Sequence, residues 1–229
     1  HIHQYLKEQP RYESHFLTNV VELNGSGGKV SARASDGRLF QGAKAIICCG
    51  SEFQTLYPEL FRTSDLQLVK LQMLRLKPLP QVQLPGNILT GYSIRRYESF
   101  SQCPSWGEIK RREPADSFAK KWSIHLLFKQ EADGGIILGD SHEYASAGEF
   151  CNLDFDLRSD INDFFISEGR TMLDLPNWEV DVSWQGFYSQ TANPSGIYQA
   201  TLDNHIHIVT GIGGKGMTSS AGFAKQSLQ

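Results

Sequence analysis

The C-terminal end of the chain constrains the fold most. His205 to Thr210 reads HIHIVT, a short β pattern. It runs into Gly211-Ile212-Gly213-Gly214-Lys215-Gly216-Met217-Thr218, and Ser219 to Leu228 has helical character. A strand, a glycine-rich turn and a helix in that order let backbone N–H groups approach a ligand closely, because glycine has no side chain in the way. The helix start behind the turn adds partial positive charge, which suits a phosphate or an anionic ring.

A dinucleotide site also needs a second turn, G-x-G-x-x-G, after the first strand of its fold. No such pattern occurs before residue 50, and the chain begins at His1. The expectation is the C-terminal part of a larger nucleotide-binding enzyme.

Composition narrows the alternatives. A hydrophobic fraction of 40% and a charged fraction of 21% fit a globular protein, and the net charge of −3 gives no basic surface for nucleic acid. No run of about 18 apolar residues predicts a membrane span. Cys48, Cys49, Cys103 and Cys151 lack metal-ligand spacing, and Cys48-Cys49 reads as a pair of small buried hydrophobes in a strand. A reduced, cytoplasmic setting is expected.

Along the chain, residues 1–9 read as a helix end broken by Pro10, and Phe16–Glu22, Lys29–Ala34 and Arg38–Gln41 as a three-stranded meander. Asn24 to Gly28 and Asp36-Gly37 are its turns. The unbroken apolar run Ala45 to Cys49, ending at Gly50, suits a parallel strand covered on both faces. Leu56–Phe61 reads as a short helix and Leu66–Leu76 as a long strand. Ser123–Phe128 and Gly135–Gly139 flank the turn Asp133-Gly134, and Val180–Tyr188 is a further strand. Residues 154–173 read as a helix whose stripe is Leu157, Ile161, Phe164, Phe165 and Met172. Asp154, Asp156, Asp160 and Asp163 fall on its solvated face. The fold class is mixed α/β: a nucleotide-binding domain over 1–64 and 196–229, interrupted by a mixed-sheet substrate domain over 65–195.

Four stretches in order carry a family resemblance: Val69 to Leu76 (VKLQMLRL), Arg95-Arg96 before Tyr97-Glu98-Ser99-Phe100, Gly139-Asp140-Ser141-His142-Glu143-Tyr144, and Val209 to Thr218 (VTGIGGKGMT). Together they resemble the D-amino-acid oxidase/glycine oxidase superfamily of FAD-dependent oxidoreductases, and more narrowly a bacterial branch associated with aminophosphonate breakdown. The resemblance spans essentially the whole chain. It implies an incomplete Rossmann-like FAD domain, with about the first third of a two-domain family member lying before His1. It implies FAD as cofactor, with Gly50 near the ADP portion. Gly211, Ile212, Gly213, Gly214, Lys215, Gly216, Met217 and Thr218 would line the flavin ring. Lys215 stands where relatives often carry His.

The implied chemistry is oxidation of a C–N bond by hydride transfer to flavin N5. It needs an unprotonated amine placed over the ring more than a general base, so no catalytic acid or base is singled out. The departures from the family concern the substrate anion. In the glycine oxidase branch an arginine follows a Trp-x-Gly-Leu pattern, whereas Trp184-Gln185-Gly186-Phe187 is followed here by Tyr188. Where other relatives carry Pro-Arg before the Asp-Gly turn, this chain has Lys129-Gln130. Without these forked carboxylate anchors, a phosphonate held by several donors is the leading expectation, from Arg95, Arg96, Lys70, His142 and Tyr188. Plain alternatives stand beside each: Arg95 and Arg96 in surface pairs with Glu98 and Asp140, and His142 in a structural hydrogen bond. The other readings are a glycine- or sarcosine-type oxidase and a non-catalytic, FAD-less fragment. The expected partner is a small anionic amine, with no nucleic acid and no membrane.

Overall fold

The structure is a computed structural model that describes residues 1–95, 100–149, 153, 155–193 and 196–227. After helix α1 (Ile2–Lys7), strands β1 (Val20–Ser26), β2 (Lys29–Ala34) and β3 (Leu39–Gly42) form an antiparallel meander. The first strand begins later than Phe16 and runs on through Asn24, because pairing with β2 continues to Ser26 opposite Lys29. The turn is therefore only Gly27-Gly28, both at positive φ (58° and 75°), which suits a two-residue hairpin.

Strand β4 (Ala45–Ile47) pairs parallel with β12 (Ile206–Thr210), and β11 (Tyr198–Leu202) pairs antiparallel with β12. The parallel pairing agrees with the sequence reading, but the cover on both faces does not. Ile47 is buried, whereas Ile46 is 58% exposed and Cys48 is exposed. Within this chain the strand packs through one face only: Cys48 is exposed, whereas the half-buried Cys49 packs against the core that holds Ile47.

The largest sheet is antiparallel, in the order β10 (Val180–Thr191), β5 (Leu66–Leu76), β8 (Ile136–Gly139), β7 (Leu127–Gln130), β6 (Ile88–Leu89). Strand β9 (Glu143–Ser146) lies beside β8 along the same flank of β5. Period-two alternation divides β5 between two faces. On one face Leu74 and Leu76 enter a core with Leu126, Phe128, Ile136, Leu138 and helix α6 (Ser159–Met172), while Leu66 and Leu68 enter a second core with Val30, Phe61, Ile206 and Ile208. Phe61 comes from helix α2 (Pro58–Arg62). Lys70 and Gln72, also buried, lie between the two cores.

Helix α6 starts at Ser159 rather than at 154. The Gln72 side chain holds Arg158 in extended backbone: its Nε2 donates to the Arg158 carbonyl at 2.7 Å, and its Oε1 accepts the Arg158 N–H at 2.8 Å. Ile161 and Phe165 form the buried stripe with Gly169, while Leu157 and Met172 are exposed. Asp156 is drawn to Lys70 and Asp160 to Arg158; neither simply faces solvent, and Asp154 lies outside the described residues. Among the described residues no helix is long and apolar enough to cross a membrane.

Gly169 has a packing reason. A Cβ there would lie 2.6 Å from the Trp178 ring and 3.3 Å from Phe128. Alanine would gain about 1 kcal/mol in helix propensity but overpack a filled core by about 1–3 kcal/mol. Gly169→Ala is expected to destabilise the protein on balance, read as a lower denaturant midpoint at unchanged slope.

Candidate functional site

Strand β12 ends at Thr210 and the glycine turn begins. Gly211 and Gly213 have φ of 73° and 67°, Gly213–Lys215 forms a 3₁₀ turn, and helix α7 (Gly216–Ser227) follows. The turn is anchored to two other segments. The Ser189 hydroxyl donates to the Gly50 carbonyl at 2.7 Å, and the Thr210 hydroxyl donates to the same carbonyl at 2.6 Å. Gly211 N–H donates to Ser189 Oγ, Thr191 N–H donates to the Gly211 carbonyl, and Gln190 bridges Ile212. Gly50 and the turn, far apart in sequence, thus share one corner.

The inner side of this corner is closed, since a Cβ on Gly211 would lie 2.5 Å from Leu66 Cδ2. The outer side is open. Around Gly50 and Gly214 nothing among the described residues lies within 4 Å of where a Cβ would sit, and Lys215, Met217 and Thr218 are exposed. Burial pushes the nearby Cys49 thiol up in pKa, which opposes thiolate chemistry there.

The second face of β5 adjoins the turn. Gln67, Val69, Leu71 and Met73 lie across from Gln190, Tyr188, Gly186 and Trp184 of β10, and Tyr144 of β9 lies across from Val69. A Cβ on Gly213 would meet Gln190 Cβ at 3.3 Å, so Gln190 joins the turn to this face. His142 stacks on Tyr144 at 6.2 Å and sits edge-on to Tyr188 at 6.4 Å. Its Nδ1 is 3.1 Å from the Ser123 carbonyl and 3.7 Å from Asp140 Oδ1. His125 Nδ1 lies 3.0 Å from the same carboxylate oxygen.

Of the expected anion ligands, Tyr188 and His142 come together on this face. Lys70 does not; it is on the opposite face of β5, 1% exposed, 3.2 Å from Glu143 and 3.1 Å from Asp156. Arg95 closes helix α3 (Gly91–Ile94), where it pairs with Glu113 at 3.0 Å and covers the Tyr92 ring. It therefore sits on no strand, and Asp140, its expected partner, pairs with His125 instead. Arg96 and Glu98 lie outside the described residues. Sequence reasoning missed Ser189, Thr210, Gln190 and His125. Extending the strand beyond Tyr188 would have placed Ser189 and Gln190.

Residues 12–227 match the family model described as DAO, FAD dependent oxidoreductase. The chain belongs to this family of FAD-dependent oxidoreductases. Among solved structures it is similar to glycine oxidase from Bacillus cereus ATCC 14579 (TM-score 0.58, 16% identity, 87% of this chain and 45% of that one). Iminodiacetate oxidase from Chelativorans sp. BNC1 matches with TM-score 0.57, 16% identity and the same two coverages, 87% and 45%. The FAD complex of glycerol-3-phosphate dehydrogenase from Bacillus halodurans matches with TM-score 0.55 and 13% identity, over 92% of this chain and 38% of that one. The chain thus spans less than half the length of these structures. No curated protein matches it significantly.

The corner fits the family's cofactor. The turn is held from the inside through Gly211, and at Gly214 and neighbouring Gly50 it is unobstructed among the described residues, as the approach of a flat ring requires.

The placement of Lys70 separates a structural cation from a substrate ligand. Lys70→Met removes the partner of two carboxylates, one of them 56% exposed and able to rehydrate. It is expected to destabilise the protein by about 1–3 kcal/mol, below the cost for fully buried pairs. The KM for the substrate should stay at the wild-type value. Thermal unfolding and steady-state kinetics on the full-length protein check the two halves separately.

Proposed function

We propose that this chain is the flavin-ring and substrate portion of an enzyme that oxidises the C–N bond of a small anionic amine, with an aminophosphonate preferred over glycine or sarcosine. The observation that carries the reading is the open, buttressed outer side of the glycine turn beside a sheet face of uncharged residues. When bound, FAD supplies the acceptor for the hydride leaving the carbon next to nitrogen. Backbone N–H groups of Gly213, Gly214 and Met217 would hold the ring edge; the Gly216 N–H, also expected there, instead donates to the Gly213 carbonyl. The start of α7 favours negative charge there. Tyr188 and Gln190, next to the turn, would orient the amine's polar groups, and exposed Lys215 would meet its anion. The aminophosphonate preference rests on the sequence, which carries Tyr188 and Lys129-Gln130 where relatives carry carboxylate-binding arginines.

Two measurements on the full-length protein test this. Purified with FAD, it should be yellow and turn over aminophosphonates faster than glycine and sarcosine; the reverse order assigns it to amino acids, and persistent absence of colour after reconstitution ends the flavoenzyme reading. Gly214 has free space around it and no positive φ, so Gly214→Val should leave apo-protein stability unchanged. The valine would project into the ring's position and lower FAD affinity about tenfold or more, equivalent to about 1.4 kcal/mol. Bound flavin per protein reads this directly.

A further inference from the structure

Helix α4 (Trp106–Arg112), helix α5 (Phe118–Lys121) and the end of α3 border a cavity of about 700 Å³. Two of its lining residues, Tyr92 and Ala119, also pack against the core that α6 completes, whereas the glycine turn meets the other face of β5. The volume is that of a small-molecule site and is more than a bare inorganic anion fills.

The lining divides by chemistry. Tyr92, Ile109, Pro114, Ala119 and Ile124 give it apolar walls. Arg95, Lys110, Arg112 and Lys120 bring four positive charges, and Glu113 is the one carboxylate among the described lining residues. The whole chain has a net charge of −3, so this is a positive concavity in an acidic protein. Two further cations of the same helices are engaged elsewhere. Arg111 Nε donates to the Gly107 carbonyl at 3.2 Å, and the Lys121 ammonium lies over the Trp122 ring at 5.1 Å.

Glu113 does not neutralise its neighbours. Its Oε1 is 3.0 Å from Arg95 and its Oε2 3.5 Å from Lys110, so both oxygens are already engaged. Arg112 pairs only with Glu108 among the described residues, one turn back on an exposed surface, and such a pair contributes little. The Lys120 ammonium has no ion-pair or hydrogen-bond partner among the described residues. These cations stand in or beside the last turns of short helices, where the helix dipole favours positive charge. The dipole accounts for their sign, but it does not require three helix ends to converge on one cavity.

We propose that this cavity binds an organic anion with an apolar body. The anionic group sits with Lys120 and Arg112, and the body lies against Tyr92, Ile109 and Ile124. Concave walls of low dielectric focus the field of the excess positive charge, which raises the local concentration of anions. Arg95 and Lys110 are held in place by Glu113, and the Arg95 guanidinium covers the Tyr92 ring at 5.1 Å, so this side of the cavity is already ordered before a ligand arrives. The inference does not depend on the amine-oxidising reading and assigns no reaction to the ligand.

The test is calorimetric titration of the full-length protein with phenylphosphonate, inorganic phosphate and benzylamine, which separate anion with body, anion alone and body with the wrong charge. Phenylphosphonate should bind at least about tenfold more tightly than either of the others, and its affinity should fall as salt is raised. Lys120 is exposed and unpaired among the described residues, so Lys120→Glu should leave thermal unfolding unchanged. It should weaken phenylphosphonate about tenfold or more, while Lys120→Arg, which keeps the charge, should bind as wild type does. Equal affinity for inorganic phosphate overturns the apolar body, and equal affinity for benzylamine overturns the anion. Phenylphosphonate that binds Lys120→Glu as it binds wild type, with a shift of the flavin visible spectrum in the FAD-loaded protein, lies at the glycine turn instead and overturns the cavity assignment.

Discussion

The Gly50 carbonyl is the point on which the candidate site depends. It accepts hydroxyl hydrogens from Ser189 and Thr210, which belong to two different sheets. These bonds are short, and both hydroxyl-bearing residues are nearly buried, so competition from water is weak. The Ser189 hydroxyl also accepts from Gly211 N–H, carrying the same link into the first residue of the turn. The orientation of the turn amides is thereby set by side chains at the ends of β10 and β12, not by the turn itself. Glycine at 211 completes this arrangement, since its φ of 73° and the 2.5 Å approach of Leu66 to a virtual Cβ exclude other residues.

Strand β5 then divides structural from functional chemistry. One face is apolar at both ends and polar in the middle, where Lys70 and Gln72 would be costly to bury without partners. Gln72 meets that demand by bonding the Arg158 backbone and Asn162, and Lys70 by pairing with Glu143 and Asp156. The same contacts fix where α6 begins. Among the described residues the opposite face carries no comparable clamp along Gln67 to Met73, and it is this face that meets the glycine turn.

Much of this was legible in the sequence where local pattern and final packing agree. Leu66–Leu76 is a strand over the expected bounds although its apolar spacing is mixed, and HIHIVT with its glycine turn has the geometry those residues demand. Errors arose where distant contacts override local signals. Asp156 reads as a solvated carboxylate until the fold brings Lys70 to it across 86 positions, and the start of α6 is set by Gln72 rather than by any capping residue of its own. Strand β11 was missed although Tyr198 to Leu202 alternates and Asp203-Asn204 both take positive φ, a hairpin signal that an apolar count overlooks. In the site, His142 and Tyr188 were identifiable by type. That Lys70 points away from them follows from strand parity, which sequence gives only once the register is known.

The charge on the site face bears on how an anionic amine would be held. Gln67, Val69, Leu71 and Met73, with their neighbours Gln190, Tyr188, Gly186, Trp184 and Tyr144, are all uncharged. Arg75, farther along the strand, is already shared among Glu131, Asp133 and Asp181. A forked guanidinium selects for two coplanar oxygens; amide and phenol donors impose no such plane. In the proposed reading, the group recognised by Tyr188, Gln190 and Lys215 is thus chosen by how many acceptor oxygens it directs at separate donors. A tetrahedral phosphonate directs three acceptor oxygens out of any common plane where a carboxylate directs two within one plane, and in that reading this difference in geometry, more than net charge, is the physical ground for placing phosphonates ahead of amino acids.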